Sequence, residues 1–183
     1  NNPVHRLRAL WAQNAIALIA TEKLTALLTD REAHVRRWAV RLLVDDRGRS
    51  LPALTVEKLS ALAASEPDAT VRLALACALQ RLPAEAAARV AAALVRRAED
   101  ARDHNLPLML WYGIAPLADT PGVLEDLARE ARIPTVARLA ARRLTEEIAT
   151  TPARLDALLA GAARAPAEIR AAVLDGVAQG LAG

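Results

Sequence analysis

The chain has 183 residues and a formal net charge of +3, from 24 basic and 21 acidic side chains that are interspersed along its length. Because the two signs are mixed, the net charge disfavours a nucleic-acid partner. Hydrophobic residues make up 54% of the chain, but aromatic residues only 2%, and phenylalanine is absent. This composition, rich in Ala and Leu, excludes a strand-based fold and predicts an all-α fold. The single cysteine excludes an internal disulfide, and no uncharged run of about 18 apolar residues marks a membrane span.

The stretch 30–43 shows the pattern on which the rest of the chain is built. Its apolar residues recur at i, i+3, i+4, i+7 and i+8 from Val35, which is typical of one face of a helix. Similar stripes begin at Leu7, Val71, Leu106, Val136 and Ile169. The successive starts are 28, 36, 35, 30 and 33 residues apart, with shorter amphipathic segments between them. A helix-turn-helix unit at this period predicts an α-solenoid of stacked HEAT-like repeats.

The same periods predict one continuous HEAT-like repeat domain over residues 1–183, since no Gly/Ser-rich linker divides the chain. The expected units are 1–20 (partial), 21–46, 54–82, 84–119, 121–149 and 152–183. The polar stretch 45–50 is predicted to be an exposed loop between units. Because the sequence starts without Met and stops within a repeat pattern, we expect it to be a segment of a longer protein.

The apolar stripes also predict the core of each repeat. The expected core residues are Leu7, Trp11, Val35, Trp38, Leu42, Val71, Leu75, Leu79, Leu106, Leu110, Val136, Leu139, Ile169 and Val173. These side chains should supply most of the stability, because exposed ion pairs contribute only about 0–1 kcal/mol each.

Arginine occupies the second position of four stripes, as Arg8, Arg36, Arg72 and Arg170. Acidic residues precede most of them, so we expect a ladder of arginine–carboxylate contacts between adjacent repeats. The alternative is a nucleic-acid-binding module, as in solenoid DNA glycosylases, in which a basic stripe meets phosphates. That alternative requires six arginines on one concave face: Arg36, Arg41, Arg72, Arg138, Arg142 and Arg170.

The sequence offers no catalytic or metal-binding motif. His5, His34 and His104 fall in different repeats, and none has a Cys or a second His at metal-ligand spacing. The seven glycines are scattered, so no phosphate-binding loop is expected. We therefore expect no metal, no cofactor and no catalytic residue in this segment.

One stretch, 103–113, departs from the repeat pattern. It replaces the Val-Arg start with Leu-Pro, and it holds the only Met and the only Tyr beside a Trp. A structural interpretation is that Asp103 or Asn105 caps a helix and that Gly113 permits close packing. A functional interpretation is a docking or ligand patch formed by His104, Asn105, Trp111 and Tyr112.

Four stretches together resemble a known family. They are Asp-x-x-x-x-Val-Arg-x-Trp-Ala-x-Arg-Leu-Leu at 30–43, Val-Arg-Leu-x-Leu-Ala-x-Ala-Leu-Gln-Arg-Leu-Pro at 71–83, Asp-His-Asn-Leu-Pro-Leu-Met-x-Trp-Tyr-Gly at 103–113 and Ile-Pro-x-Val-Ala-Arg-x-x-Ala-Arg-Arg at 133–143. Over about residues 3–145 the chain resembles the HEAT-repeat region of large PVC-type haem-binding, membrane-bound-dehydrogenase-like proteins. The 103–113 block is the most specific part of this resemblance.

In that family a propeller-like dehydrogenase domain precedes the repeats, and a c-type cytochrome domain with Cys-x-x-Cys-His follows them. The resemblance implies a non-catalytic spacer or docking solenoid within an exported, periplasmic haem c-containing protein. Its partners would be other domains of the parent chain or a redox protein. The haem ligands are absent here, so the resemblance implies no haem in this segment. A third possibility, an enzyme similar to HEAT-like bilin lyases, would place its centre near His104 and Asn105.

Overall fold

The computed structural model describes residues 2–16, 18–46 and 50–182. Within these ranges every regular element is helical and no residue lies in a β-strand, so the predicted all-α fold is confirmed. The α-helices of the described residues are α1 (Pro3–Ala15), α2 (Thr21–Leu27), α3 (Ala33–Leu43), α4 (Ala53–Ser65), α5 (Ala69–Ala78), α6 (Ala84–Leu94), α7 (Leu106–Ile114), α8 (Val123–Glu130), α9 (Pro134–Glu146), α10 (Pro152–Ala162) and α11 (Ala167–Ala182). Short 3-10 turns follow α5, α6 and α7, at Leu79–Arg81, Ala98–Arg102 and Ala115–Asp119. The loop predicted at 45–50 falls partly on residues 47–49, which lie outside the described ranges.

Local sequence features determine where several helices begin. Asp68 precedes α5, and its Oδ1 accepts hydrogen bonds from the backbone N–H of Thr70 at 2.8 Å and of Val71 at 3.3 Å. These bonds satisfy N–H groups that have no partner within the helix. Pro134 and Pro152 open α9 and α10, where a residue without a backbone N–H sacrifices no helical bond. Capping and proline placement thus divide the chain into many short helices.

The helices pack in two rows. In the odd row each odd-numbered helix packs on the next, from α1 to α11, and in the even row each even-numbered helix packs on the next, from α2 to α10. Most helices that are consecutive in sequence also pack across the rows, as α2 does on α3. One hydrophobic cluster runs between the rows, from Leu10 in α1 to Val173 in α11. The pairs α2–α3 to α10–α11 fall in the successive units expected from the sequence, with α4 beginning one residue early, at Ala53.

Most of the predicted core residues are buried. These are Val35, Leu42, Val71, Leu75, Leu79, Leu106, Leu110, Val136, Ile169 and Val173. Leu7, Trp38 and Leu139 are only half-buried, and Trp11 is 41% exposed. The assignment of Trp11 to the core is therefore wrong. Within the described residues α1 packs chiefly against α3, so the Trp11 indole is covered from one side only.

Two arginines of the odd row form buried ion pairs with the helix pair that follows. In α3, Arg36 donates from Nε to Glu66 Oε2 at 2.7 Å and from Nη2 to Glu66 Oε1 at 2.5 Å. In α5, Arg72 makes the same two-pronged contact with Asp100, at 2.7 and 2.5 Å. The side chains of Glu66, Arg72 and Asp100 are only 0%, 5% and 4% exposed. These pairs tie α3 to the end of α4, and α5 to the turn after α6.

The other two members of the predicted ladder, Arg8 and Arg170, are exposed and form no ion pair with any described residue. Residues 6 and 8 point about 200° apart around a helix, so only one of them can face the turn before α3. Arg170 lies in α11, and no later helix of the described residues offers it a carboxylate. Arg6 of α1 makes the corresponding contact with Asp30, whereas Arg154 of α10, in the even row, pairs with Glu125 of the preceding α8.

Close packing of α9 against α11 depends on glycine. A Cβ atom on Gly176 would lie 2.1 Å from the backbone oxygen of Arg138, and one on Gly180 would lie 2.7 Å from Thr145 Cβ. Neither position leaves room for a methyl group, so the two helices could not approach this closely with any other residue there. The distance between these two helices is therefore determined by the sequence of α11.

The burial of the Arg72–Asp100 pair predicts a large effect of a small change. Asp100→Asn leaves the Arg72 guanidinium buried without a counter-charge, so the free energy of unfolding should fall by about 3–5 kcal/mol. The matched control is Asp126→Asn, because the Asp126 carboxylate is 63% exposed beside Arg129 and should lose only about 0–1 kcal/mol. Urea unfolding followed by circular dichroism measures both losses. Equal losses in the two variants would contradict a structural role for the buried pair.

A second pair of variants tests the contact between α9 and α11. Gly176→Ala should lower the free energy of unfolding by about 1–3 kcal/mol, because the added methyl group meets a backbone oxygen. In Gly161→Ala the methyl group meets only the flexible Arg129 side chain, at 3.0 Å. Alanine is the better helix former, so this control should keep its stability or gain up to about 1 kcal/mol. Thermal unfolding measures the stability of both variants. A stable Gly176→Ala together with a destabilised Gly161→Ala would contradict the prediction.

Candidate functional site

The four residues that the sequence suggested as a binding patch lie just before α7 and within it. His104 and Asn105 are exposed in the turn before the helix, and Tyr112, which is 52% exposed, lies about two turns further on. Trp111 is half-buried and packs against the core. No side-chain hydrogen bond or ring contact joins these four within the described part of the chain. The described contacts therefore do not join these four residues, and the patch stays a prediction.

The polar end of this block organises the start of α7. Asp103 Oδ1 accepts hydrogen bonds from the backbone N–H of Asn105 and of Leu106, both at 2.8 Å. These two bonds favour the charged carboxylate, so they hold the pKa of Asp103 below its usual value. Asn105, although it sits at the cap position, makes no side-chain capping bond. The role of Asp103 as a cap for α7 therefore explains its presence in the stretch 103–113.

A different surface of the odd row gathers aromatic and basic side chains. The rings of Trp11 and Trp38 meet edge to face, with centroids 4.9 Å apart and planes at 67°. The Arg41 guanidinium lies over the Trp38 ring, with its Cζ 4.6 Å from the centroid. Edge-to-face aromatic pairs contribute about 0.5–1.5 kcal/mol beyond burial, and exposed cation–π contacts about 0.5–1 kcal/mol. We call Trp11, Trp38 and Arg41 the indole–arginine cluster.

A groove of about 410 Å³ runs beside this cluster, between α3 and α5. Val44, Leu73 and Ala74 give it an apolar floor. Its basic lining consists of Arg37 and Arg41 from α3 together with Arg81, which follows α5. We call this feature the α3–α5 groove. Since Arg41 belongs to both features, the cluster and the groove form one continuous surface.

The three arginines of the groove differ from those of the buried pairs. Arg37 and Arg41 form no ion pair within the described residues, and the buried Nε of Arg37 has no hydrogen-bond partner there. Arg81 donates from Nη1 to the backbone oxygen of Asp45 at 3.2 Å, which holds it at the end of α3. The Asp45 side chain also lines the groove, so three positive groups face a single lining carboxylate.

The only cysteine of the chain also lies in this groove. The sequence favoured a small apolar role for Cys77, whereas the structure leaves it exposed on α5. Partial desolvation raises the pKa of the Cys77 thiol, and the positive charge of Arg41 opposes that rise. The thiol can therefore report chemically on the groove.

The six arginines required by the nucleic-acid alternative do not form one free basic stripe. Arg36 and Arg72 are buried in ion pairs, and Arg170 is exposed on α11. Arg138 donates to Gln179 at 2.9 Å, and Arg142 donates to Glu146 at 3.1 Å. Of the six, Arg41 alone lines the groove.

The sequence contained part of the signal for this surface. Arg37 and Arg41 are four residues apart, and Trp38 and Arg41 are three apart, so all three lie on adjoining faces of one helix. The apolar stripe assigned Trp38 to the core, against which it packs, whereas Arg41 entered only the nucleic-acid alternative and Arg37 was given no role. Arg81 and Cys77 come from another helix pair, and only the packing of α3 on α5 brings them alongside.

The charge of Arg41 predicts the titration behaviour of Cys77. Arg41→Gln removes a positive charge that favours the thiolate, so the pKa of Cys77 should rise further. The midpoint of the pH profile of iodoacetamide alkylation, followed by mass spectrometry, should then move to higher pH. Arg142→Gln, on α9, is the matched control and should leave the midpoint unchanged. An unmoved midpoint in Arg41→Gln would show that this guanidinium does not act on the thiol.

Comparison of the chain with protein-family models, with curated proteins and with solved structures finds no match. The resemblance of residues 103–113 to a haem-protein repeat region therefore stays a prediction from the sequence. Among the described residues no helix has the length and apolar character needed to cross a membrane. Nor do three His, Cys, Asp or Glu side chains of these residues come together in a group able to hold a metal ion.

Proposed function

We propose that this chain is an α-solenoid of HEAT-like repeats and that it acts as a non-catalytic protein-docking module. The solenoid interpretation is supported by the two rows of helices, in which successive helix pairs stack on one another. It is also supported by the buried arginine–carboxylate pairs, which recur from one helix pair to the next. A solenoid leaves one side of each row open along its whole length, and such surfaces serve for binding.

The observation that carries the docking function is the exposed indole–arginine cluster. The chain has only four aromatic residues, yet Trp11 is 41% exposed and Trp38 is only half-buried. A core this short of aromatic volume would gain from burying both indoles, each of which could remove 150–250 Å² from water. Trp, Tyr and Arg are the residues that most often dominate binding energy at protein interfaces. Keeping them at the surface is best explained by contact with a partner.

The wider context of the proposal comes from the family resemblance. We propose that the module is the spacer or docking region of a larger exported, haem c-containing, dehydrogenase-like protein. Its partner would then be another domain of that chain or a redox protein. The support for this context is the sequence of residues 103–113 and of the repeats around it.

A library of displayed random peptides tests the docking function without assuming what the partner looks like. Selection on the folded wild-type chain should enrich peptides whose binding falls at least about tenfold in Trp11→Ala, which corresponds to about 1.4 kcal/mol. The matched control is Leu54→Ala, which removes a large side chain that is 59% exposed on α4 in the even row. Binding to this control should equal binding to wild type.

Two results would contradict the proposal. One is that no peptide is enriched above background on the wild-type chain. The other is that the enriched peptides bind Trp11→Ala as well as they bind wild type. Circular dichroism of each variant checks that a loss of binding is not a loss of folding.

A further inference from the structure

We propose that the α3–α5 groove binds an acidic peptide segment, with its carboxylates on Arg37, Arg41 and Arg81 and an intervening apolar side chain on the groove floor. The inference rests on the proposed docking function and specifies the chemistry of the partner. It concerns a surface that the sequence did not single out as a site.

The charge distribution favours an anionic ligand at this place. Elsewhere in the described residues, many arginines are matched by carboxylates, as Arg36 is by Glu66 and Arg154 is by Glu125. In the groove, Arg37 and Arg41 have no such match within the described residues. Local complementarity of charge selects partners more strongly than net charge does. A net charge of only +3 is thus compatible with one site that is strongly basic.

The hydrogen-bonding geometry favours a planar acceptor. The buried Nε of Arg37 has no partner within the described residues, and leaving such a donor unpaired costs about 1–3 kcal/mol. A carboxylate accepts two parallel bonds from one guanidinium, through Nε and one Nη. Arg36, the neighbouring residue, binds Glu66 in this way, at 2.7 and 2.5 Å. A carboxylate from a partner would give Arg37 the same arrangement once the side chain turns to bring its buried Nε to the groove surface.

The shape of the groove favours a short peptide. Its volume of about 410 Å³ is in the range of pockets that hold a few side chains. Leu73, Ala74 and Ala78 line it with apolar surface between the arginines. An apolar side chain flanked by acidic ones would meet both kinds of lining at once.

A single-stranded nucleic acid fits the surface less well. Bases need a free aromatic face, but one face of Trp38 is under Arg41 and the ring also meets Trp11. Successive phosphates need further free cations along the row. Those further along α9 are already paired, as Arg142 is with Glu146 and Arg143 is with Glu147. Within the groove itself three arginines meet one lining carboxylate, which suits two or three carboxylates from a peptide.

The test compares two short fluorescent peptides at low ionic strength, one alternating Glu with Leu and the other alternating Gln with Leu. Fluorescence anisotropy should show the Glu peptide binding the wild-type chain at least about tenfold more tightly. Arg37→Gln and Arg41→Gln should each weaken the Glu peptide roughly tenfold and leave the Gln peptide unchanged. Arg142→Gln, an exposed arginine on α9 that is already paired, is the matched control and should bind as wild type does.

Cys77 supplies a second readout that locates the peptide. Because it is the only cysteine and lies in the groove, bound Glu peptide should slow its alkylation by iodoacetamide. Protection should appear in wild type and in Arg142→Gln, and should be lost in Arg41→Gln at the same peptide concentration. In each variant the alkylation rate with peptide is divided by the rate without peptide. This ratio removes the direct effect of Arg41 on the reactivity of the Cys77 thiol.

The outcomes separate this inference from the docking function. Equal binding of the Glu and Gln peptides, or Glu binding that ignores both Arg37→Gln and Arg41→Gln, would overturn it. Tighter binding and better Cys77 protection by a single-stranded oligonucleotide would overturn it in favour of nucleic acid. If displayed peptides bind through Trp11 but are not acidic, the docking function is supported and the preference for acidic peptides is contradicted. If no peptide of any kind binds, both fail.

Discussion

The structure around the α3–α5 groove depends on one buried residue, Glu66, at the end of α4. Its carboxylate accepts two bonds from Arg36 and one, at 2.9 Å, from the backbone N–H of Asp68. Its backbone oxygen accepts bonds from Arg72 at 3.0 Å and from Arg97 at 2.7 Å. Glu66 thereby connects α3, α5 and the turn after α6. A buried charge held by this many donors has one low-energy arrangement, because each lost bond leaves a buried group unpaired.

This junction determines the geometry of the α3–α5 groove. On α3, Arg36 faces Glu66, while the next residue, Arg37, is turned by about 100° and faces the groove. On α5, Arg72 faces the interior in the same way, and Leu73 lies on the groove floor. On each helix, one residue therefore forms a buried ion pair and the next residue lines the groove. The buried pairs position the helices from which the groove arginines project, and a site whose backbone is already in place loses less entropy on binding.

Sequence periodicity was sufficient to predict the helices and much of the core, but not the surface. The stripe that begins at Val71 predicts the burial of Leu75 and Leu79, because a helix has a fixed period. Periodicity assigned Arg36 to the ladder but gave Arg37 no role, because the groove that Arg37 lines forms only where α3 packs on α5. It also predicted burial of Trp11, but within the described residues α1 packs chiefly on α3 and the indole is 41% exposed. The prediction that Gly113 permits close packing is confirmed, because a Cβ atom at this position would lie 2.6 Å from Leu79 Cβ.

The claim that the indole–arginine cluster and the groove form one docking surface can be tested at the indoles themselves. The chain has three tryptophans, so a proton–nitrogen correlation spectrum should resolve an indole signal from Trp11, Trp38 and Trp111. Titration with the acidic peptide should shift the Trp11 and Trp38 signals progressively and leave that of Trp111 in place, since Trp111 lies on α7, outside the cluster and the groove. A shift confined to Trp111, or an unmoved Trp38 signal at saturating peptide, would contradict the assignment of the docking surface to α1, α3 and α5.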